Sequence, residues 1–502
     1  MQFESVFLEK AAQQKIALLR VLRQRGYAGI TIADLATQIG LTYQRTYNLF
    51  QELNADLADL YQKTPTEMRK SLVAASPQII SLDLYKARQF QAATAWQFFD
   101  YAVQGHQPSL DRFCETHFIS RSTLMRKTVN LRAFLAHYDL KLVYPTLTFS
   151  GPEARLRLLL QQCYWQVTQG TSWPFTAISE SDLKCQYQQF PRRHENPLSQ
   201  HMDLYLLAVS RLRMAHGNAL EHQIANLLPD VNAYFTASQF PYLTPQQIIF
   251  ENQFIAFHQA AALRFGHIDS NAWTQRKERL TLATPIAAKI LSTLQRDLLN
   301  PNDPGYLALQ TDRGLQLNLL RVLVCFLSLG GDYCKASDFD APNKTTERLN
   351  QLSMRAYTFV THLPDTPEYA ALHAATHAFC RFVTYVLAPT INAFDQAVRL
   401  KVAVILEPND LLHRRLNRFL DNMSFVDRLA GPDALQQCDF LITEVSMLIT
   451  PQTQAFITNY PQACLIWDLD ANTIDYHHLH QKLIALRNRR LVALSPGLAP
   501  DA

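Results

Sequence analysis

Residues 110–135 read LDRFCETHFISRSTLMRKTVNLRAFL, the pattern of two short helices joined by a tight turn. Leu110, Phe113 and Cys114 give the first helix an apolar side, and Leu124, Thr128 and Leu131 recur at helical spacing as the inward stripe of the second. His117 to Ser120 make the turn, and the Ser120 hydroxyl can accept from the unpaired amides at the start of the second helix. Facing outward near that start are Arg121, Ser122, Thr123, Arg126, Lys127 and Asn130, groups that hydrogen-bond to base edges or pair with phosphates. The expected element is a helix-turn-helix that binds double-stranded DNA. Two packed core helices can produce the same pattern.

Upstream, TIADLATQIGLTYQRTYNLFQEL (Thr31–Leu53) repeats the arrangement. Ala36 is small where two helices cross, Gly40 supplies a positive φ in the turn, Thr42 caps the second helix, and Leu49 points inward. Tyr43, Gln44, Arg45, Tyr47 and Asn48 are then exposed on the second helix, and Tyr43, Gln44, Arg45 and Asn48 are further candidate DNA contacts. Pro65 to Trp96 reads as a connector, with one helix expected from Leu84 to Val103. Downstream, Leu140–Val143 and Leu147–Phe149 alternate like two short strands around Pro145, closed by Gly151. Such a hairpin is either a wing that grips the DNA backbone or a surface hairpin without DNA contact. A helix beginning at Glu153 ends before Gly170, and Trp173-Pro174-Phe175 reads as a packed stop.

These residues carry a resemblance. FISRSTLMRK, LRAFL, FSGPEARLR, YW and WPF, with Ser120, Ser122-Thr123-Leu124, Arg126, Gly151, Glu153, Arg157 and Trp173-Pro174-Phe175 in register, resemble the Mga/AtxA family of Gram-positive transcription regulators. The resemblance implies a mainly α, multidomain protein with two N-terminal (winged) helix-turn-helix modules, at residues 1–62 and 63–175. It further implies two helical-bundle domains of the phosphotransferase-regulated (PRD-like) kind, at 176–279 and 280–397, and a small α/β parallel-sheet domain similar to enzyme IIB at 398–490, followed by a tail at 491–502. Each helical domain would carry histidines phosphorylated by the phosphocarrier HPr or an enzyme II of the sugar phosphotransferase system. His201, His216 and His258 are the candidates in the first domain, and His373 and His377 in the second.

The residues after 176 agree with this order of parts. HMDLYLLAVSRLRMAHGNAL puts Leu204, Leu207, Ala208 and Leu212 on one helical stripe, and IIFENQFIAFHQAAALRF does the same with Ile249, Phe254, Phe257 and Ala261. LQLNLLRVLVCFLSL and FCRFVTYVLAP are the most apolar helices of the next stretch, where His373 and His377, four apart, are expected on one helix face. From Leu400 the runs LKVAVILEP, Met423–Val426, DFLITEV and ACLIWDLD alternate with helical segments, as in a small parallel sheet. The loop Glu407-Pro408-Asn409-Asp410 holds no cysteine, so the nucleophile of a phosphotransferring IIB domain is missing. That domain is therefore expected to dimerise the chain or dock a partner rather than catalyse. Arg487–Ala502 reads as a solvated tail.

Composition sets the remaining bounds. A chain of 502 residues exceeds a single core, and the 14 glycines are too few for a large β-sandwich or a glycine-rich nucleotide binder. Residues 1–175 hold 19 Lys and Arg against 13 Asp and Glu, whereas the remainder holds 28 against 30. The positive excess thus lies with the two helix-turn-helix candidates, where it lowers repulsion on approach to phosphate. The eight cysteines form no CxxC pair, which predicts reduced core thiols and neither a disulfide framework nor a zinc site. No metal, cofactor or catalytic set is expected. The apolar run at Leu317–Leu329 is interrupted by Arg321 and the N-terminus has no signal-like core, which predicts a cytoplasmic protein without a membrane span. Two other classes fit parts of the chain: an enzyme IIB-like phosphotransfer protein, and an RNA-binding antiterminator with the same regulatory domains.

Overall fold

The computed structural model describes residues 3–24, 31–73, 80–188, 197–225, 227, 234–263, 270–299, 306–339, 347–394, 399–406, 410–423, 425–429, 434–444, 451–459, 463–468 and 471–493. Two compact units emerge: the first comprises residues 1–294, 313–343 and 356–383, the second 295–312, 344–355 and 384–502. The first is mostly helical; the second holds a parallel sheet.

The first unit opens with α1 (Phe3–Phe7), α2 (Lys10–Gln24), α3 (Ile32–Ile39) and α4 (Tyr43–Leu60). Thr31 and Asp34 close a capping box on α3, and Gly40 ends it at φ 66°. Thr42 accepts from the Arg45 amide to start α4. Leu35, Ala36, Leu49, Leu53 and Leu57 are buried between these helices, as the sequence pattern requires.

The connector differs from expectation. It contains α5 (Pro65–Val73), and the single helix expected at 84–103 is two, α6 (Leu82–Ala92) and α7 (Thr94–Gln104). A signal for α5 was present, because Thr64 and Glu67 exchange the bonds of a capping box around Pro65. Nothing local marks the break at Ala93, whose backbone is extended. Packing decides it: with the break, Tyr85 and Phe90 of one helix and Trp96, Phe98 and Phe99 of the other are all buried.

Next come α8 (Leu110–Thr116), α9 (Arg121–Lys127), α10 (Val129–His137), an antiparallel hairpin of β1 (Lys141–Val143) with β2 (Thr148–Ser150), and α11 (Glu153–Thr168). Leu124, Thr128 and Leu131 form the predicted inward stripe, each fully buried. The helix that carries them is not continuous, however, and it breaks at Thr128. There the Thr128 hydroxyl donates to the Leu124 carbonyl (2.8 Å) and accepts from the Tyr144 hydroxyl (2.6 Å), so the hairpin holds the bend.

Farther on lie α12 (Glu180–Gln188), α13 (Pro197–Ala215), α14 (Pro245–Ala261) and the long helices Ser270–Ala283 and Arg313–Leu329. Leu204, Leu207, Ala208 and Leu212 face inward as expected. In α14, Phe254, Phe257 and Ala261 are buried as expected, but at the first position Ile248 is buried and Ile249 is 47% exposed. His373 and His377 do not share a helix, since one helix ends at Ala374 and the next begins at Thr376.

In the second unit, β3 (Leu400–Ile405), β4 (Val426–Leu429), β5 (Phe440–Thr443) and β6 (Cys464–Ile466) form a fully parallel sheet in the order β4-β3-β5-β6. Leu400, Val402, Phe440 and Ile442 pack with Leu416, Leu420, Leu479 and Leu483 of the flanking helices. The expected strand at Met423–Val426 begins only at Val426. The residues read as the start of a solvated tail continue the helix Thr473–Ala493; Arg490 pairs with Asp439 at 2.6 Å and Arg487 lies over the Phe425 ring. Residues 407–409 of the cysteine-free loop, and 494–502, lie outside the described residues. None of the eight cysteines is in a disulfide; five are buried, but Cys438 and Cys464 are half-buried and Cys185 is exposed, contrary to the expectation of core thiols throughout. No described helix is long and apolar enough to cross a membrane.

Candidate nucleic-acid interface

The α8-turn-α9 element is built by local chemistry that the sequence displays. Ser109 caps α8 and Ser120 caps α9, the latter accepting from the Thr123 amide at 3.1 Å. Phe113 and Cys114 of α8 and Leu124 of α9 are buried between the helices. The turn passes through Phe118 in a left-handed conformation, φ 51°, with its ring 95% exposed. A bulky residue in that region costs about 1 kcal/mol or more of backbone strain, which concentrates at functional segments.

The predicted contacts divide into two groups. Arg121, Ser122 and Arg126 are exposed on α9, and Thr123 is half-buried at its start. Arg121 is tied to Asp111 across the turn at 2.7 Å, and this carboxylate raises the guanidinium pKa. Lys127 and Asn130 are instead engaged with the N-terminus: the Lys127 ammonium pairs with Glu9 at 2.5 Å, and the Asn130 amide donates to the Ser5 carbonyl at 2.8 Å. On α4, Tyr43, Gln44, Arg45 and Asn48 are all exposed. Gln44 donates to Asn48 (3.2 Å) and Arg45 to Gln14 (3.2 Å), bonds weak enough at the surface to exchange for a ligand.

Two exposed cations escaped the sequence reading. Lys141 projects from β1, where it alternates with buried Leu142, and Arg112 lies on the outer side of α8. The alternation was a legible signal for Lys141. The hairpin is fixed at its root, because Gly151 sits at φ 125° against Asp139 and Leu140, and Arg155 pairs with Asp139 at 2.8 Å.

Behind this surface, α11 is held by buried charge. The Arg157 guanidinium, with no exposed surface, donates to both carboxylate oxygens of Glu251 on α14, to Glu153 (2.9 Å) and to the Asn218 carbonyl (2.8 Å). Burial opposes its charge, but the Glu251 and Glu153 carboxylates outweigh burial and raise its pKa. Arg213 of α13 binds the same Glu153 at 2.8 and 2.9 Å.

The candidate histidines lie in different settings. His258 of α14 approaches Gln161 of α11 (3.3 Å) and Asp203 of α13 (3.7 Å), and His201 of α13 is 3.9 Å from Glu180. His216 is held below its ordinary pKa, by burial first and then by Arg213 and His106. His373 lies 3.3 Å from the Pro364 carbonyl, and exposed His377 is near the Tyr357 ring. Among the described residues, no group of three His, Cys, Asp or Glu side chains could hold a metal ion.

A search of curated proteins returned no match. Residues 81–164 match the family model of the Mga helix-turn-helix domain, a segment that runs from the start of α6 into α11 and includes the turn, the capped α9 and the hairpin. Residues 81–164 are therefore similar to the Mga helix-turn-helix domain, a family of regulatory DNA-binding domains, which supports a regulator of the Mga/AtxA type.

Proposed function

We propose that the chain is a transcription regulator that binds double-stranded promoter DNA through α9 and its hairpin wing, with α4 as a second contact. The carrying observation is that Arg121, Ser122 and Arg126 stand exposed on a serine-capped helix, inside a segment matched by a DNA-binding domain family. Base edges are read by such side chains from the major groove, while cations such as Lys141 and Arg112 offset phosphate charge. Arg126→Ala is expected to weaken duplex binding about tenfold and to reduce the slope of log affinity against log salt by about 1. Lys127→Ala should change the slope much less, because its ammonium already pairs with Glu9. Titration of a labelled promoter duplex at several salt concentrations measures both. An unchanged slope in the Arg126 variant would remove α9 from the interface.

The finer reading is that histidine phosphorylation by HPr or an enzyme II tunes this activity, that the sheet domain dimerises the chain, and that the chain has no catalytic role of its own. His258 is the best-placed transmitter. A phosphoryl group there adds about −2 charge beside Asp203 and against Gln161 of α11, the last helix of the DNA-binding domain. His201, His216, His373 and His377 are the remaining acceptors. The burial that raises the Cys438 pKa to about 11 and raises that of Cys464 disfavours a thiolate phosphoacceptor in the sheet domain. Incubation with labelled phosphoenolpyruvate and the phosphocarriers should label histidine, and residues 1–397 should sediment as a monomer where the full chain is a dimer. Label on cysteine would make the chain a phosphotransfer enzyme, and a dimeric 1–397 would move the interface elsewhere.

A further inference from the structure

The two helix-turn-helix elements are joined by side chains rather than only by the intervening segment. At the C-terminal half of α4, Asp56 accepts from the Tyr85 hydroxyl (2.9 Å) and Gln89 amide (3.1 Å) of α6 and pairs with Lys15 of α2 (2.6 Å). Asp59 pairs with Arg88, and the Tyr61 hydroxyl accepts from the Ser81 amide that precedes α6. This fastens α4, the second helix of the first helix-turn-helix, to α6, the first helix of the matched segment.

A second set of contacts reaches α9 and α10. Phe3 meets the Phe90 ring at 5.2 Å, Phe7 meets Trp96 and Phe99 at 5.2 and 5.5 Å, and all five side chains are buried. Glu4 pairs with Lys86 at 3.1 Å. Beside them are the bonds of Glu9 to Lys127 and of the Ser5 carbonyl to Asn130. Independent modules on a flexible tether share few such contacts, because domain boundaries fall where little crosses. Here an aromatic core and ion pairs cross the boundary, and side chains in a packed core do not slide continuously.

We infer that α4 and α9 form one rigid reading head, so that the chain recognises a composite DNA element whose two subsites are held at a single spacing. In this arrangement Lys127 and Asn130 are positioning residues. They set where α9 lies relative to α4 and do not touch DNA. The inference rests on the DNA-binding reading above.

Selection of duplexes from a random-sequence library with the full chain, followed by titration of spacer variants of the selected duplex, tests it. The expected result is a bipartite motif with one spacer length. Inserting 5 base pairs, about half a helical turn, should then cost about 100-fold in affinity, because simultaneous engagement is lost. Inserting about 10 base pairs should restore little, since a rigid head cannot stretch. The double variant Glu9→Gln, Asp56→Asn should accept a wider range of spacers while binding each isolated subsite as the wild type does. A single uninterrupted motif, or two subsites enriched at many spacings, would overturn the inference and leave DNA binding standing. Failure to enrich any duplex would overturn the DNA reading, and the composite element with it.

Discussion

Replacing Glu251 with alanine is expected to destabilise the first unit by about 3–5 kcal/mol, the usual cost of stranding one partner of a buried ion pair. The physical reason is a charge with nowhere to go. Arg157 and Glu251 both have side chains without exposed surface, and Arg157 donates to both oxygens of Glu251. Without that carboxylate, burial of the guanidinium is offset only by half-buried Glu153 and the Asn218 carbonyl. The Leu220 amide, which donates to Glu251 at 2.9 Å, is orphaned as well, adding a desolvation penalty of about 1–3 kcal/mol that is part of the same loss. For a unit of this size the midpoint of thermal unfolding should fall by roughly 4–7 °C, read by circular dichroism. The double variant Arg157→Met, Glu251→Met removes both charges and should recover much of the loss, because a buried pair is often no better than apolar packing of equal volume. A single variant that melts within about 1 °C of the wild type (about 0.7 kcal/mol by the same scaling) would show that water reaches Arg157. The consequence extends to the interface, since α11 closes the matched domain and α14 lies behind it.

Gly151→Ala is the second large effect, expected at about 3 kcal/mol. An added Cβ would lie 2.5 Å from the Asp139 carbonyl oxygen and 2.8 Å from Leu140 Cδ2, in a backbone region, φ 125°, that side chains rarely adopt. Neither neighbour can yield easily, because Asp139 is backbone at the hairpin root and Leu140 is buried. The strain should displace the wing and weaken the Arg155 to Asp139 pair. Gly40→Ala is the matched control. Its φ is also positive, but nothing lies within 4 Å, so only the left-handed penalty of about 1–2 kcal/mol applies. Paired unfolding curves, with duplex titrations of both variants, measure the difference. Equal melting of the two would mean that the hairpin root relaxes around the methyl group.

Much of the candidate interface was legible because its determinants are local. The turn, the caps at Thr42 and Ser120, and the inward positions of Leu49, Leu124 and Leu131 follow from periodicity and capping chemistry within a few residues. The parallel sheet was legible for a similar reason, since strands covered on both sides read as apolar runs. Local signals failed where two states are equal for a single helix. Ile248 and Ile249 are chemically the same, and which one turns inward depends on what α14 packs against. The break between α6 and α7 has no glycine or proline to announce it.

The sequence by itself determined where the helices of the DNA-binding domain start, which of their faces are apolar, and which polar groups could meet DNA. Only the tertiary structure decided which of those groups remain available. Arg126 and Lys127 are adjacent cations on one helix, yet one is exposed and the other is paired with Glu9, 118 residues away. Arg157 is chemically a surface residue that becomes buried because Glu251, 94 residues later, arrives to compensate it. Capping and amphipathic periodicity act over one or two turns and are written in adjacent letters. The fate of a charge depends on the field and burial created by distant segments, and that is set only when the chain has packed.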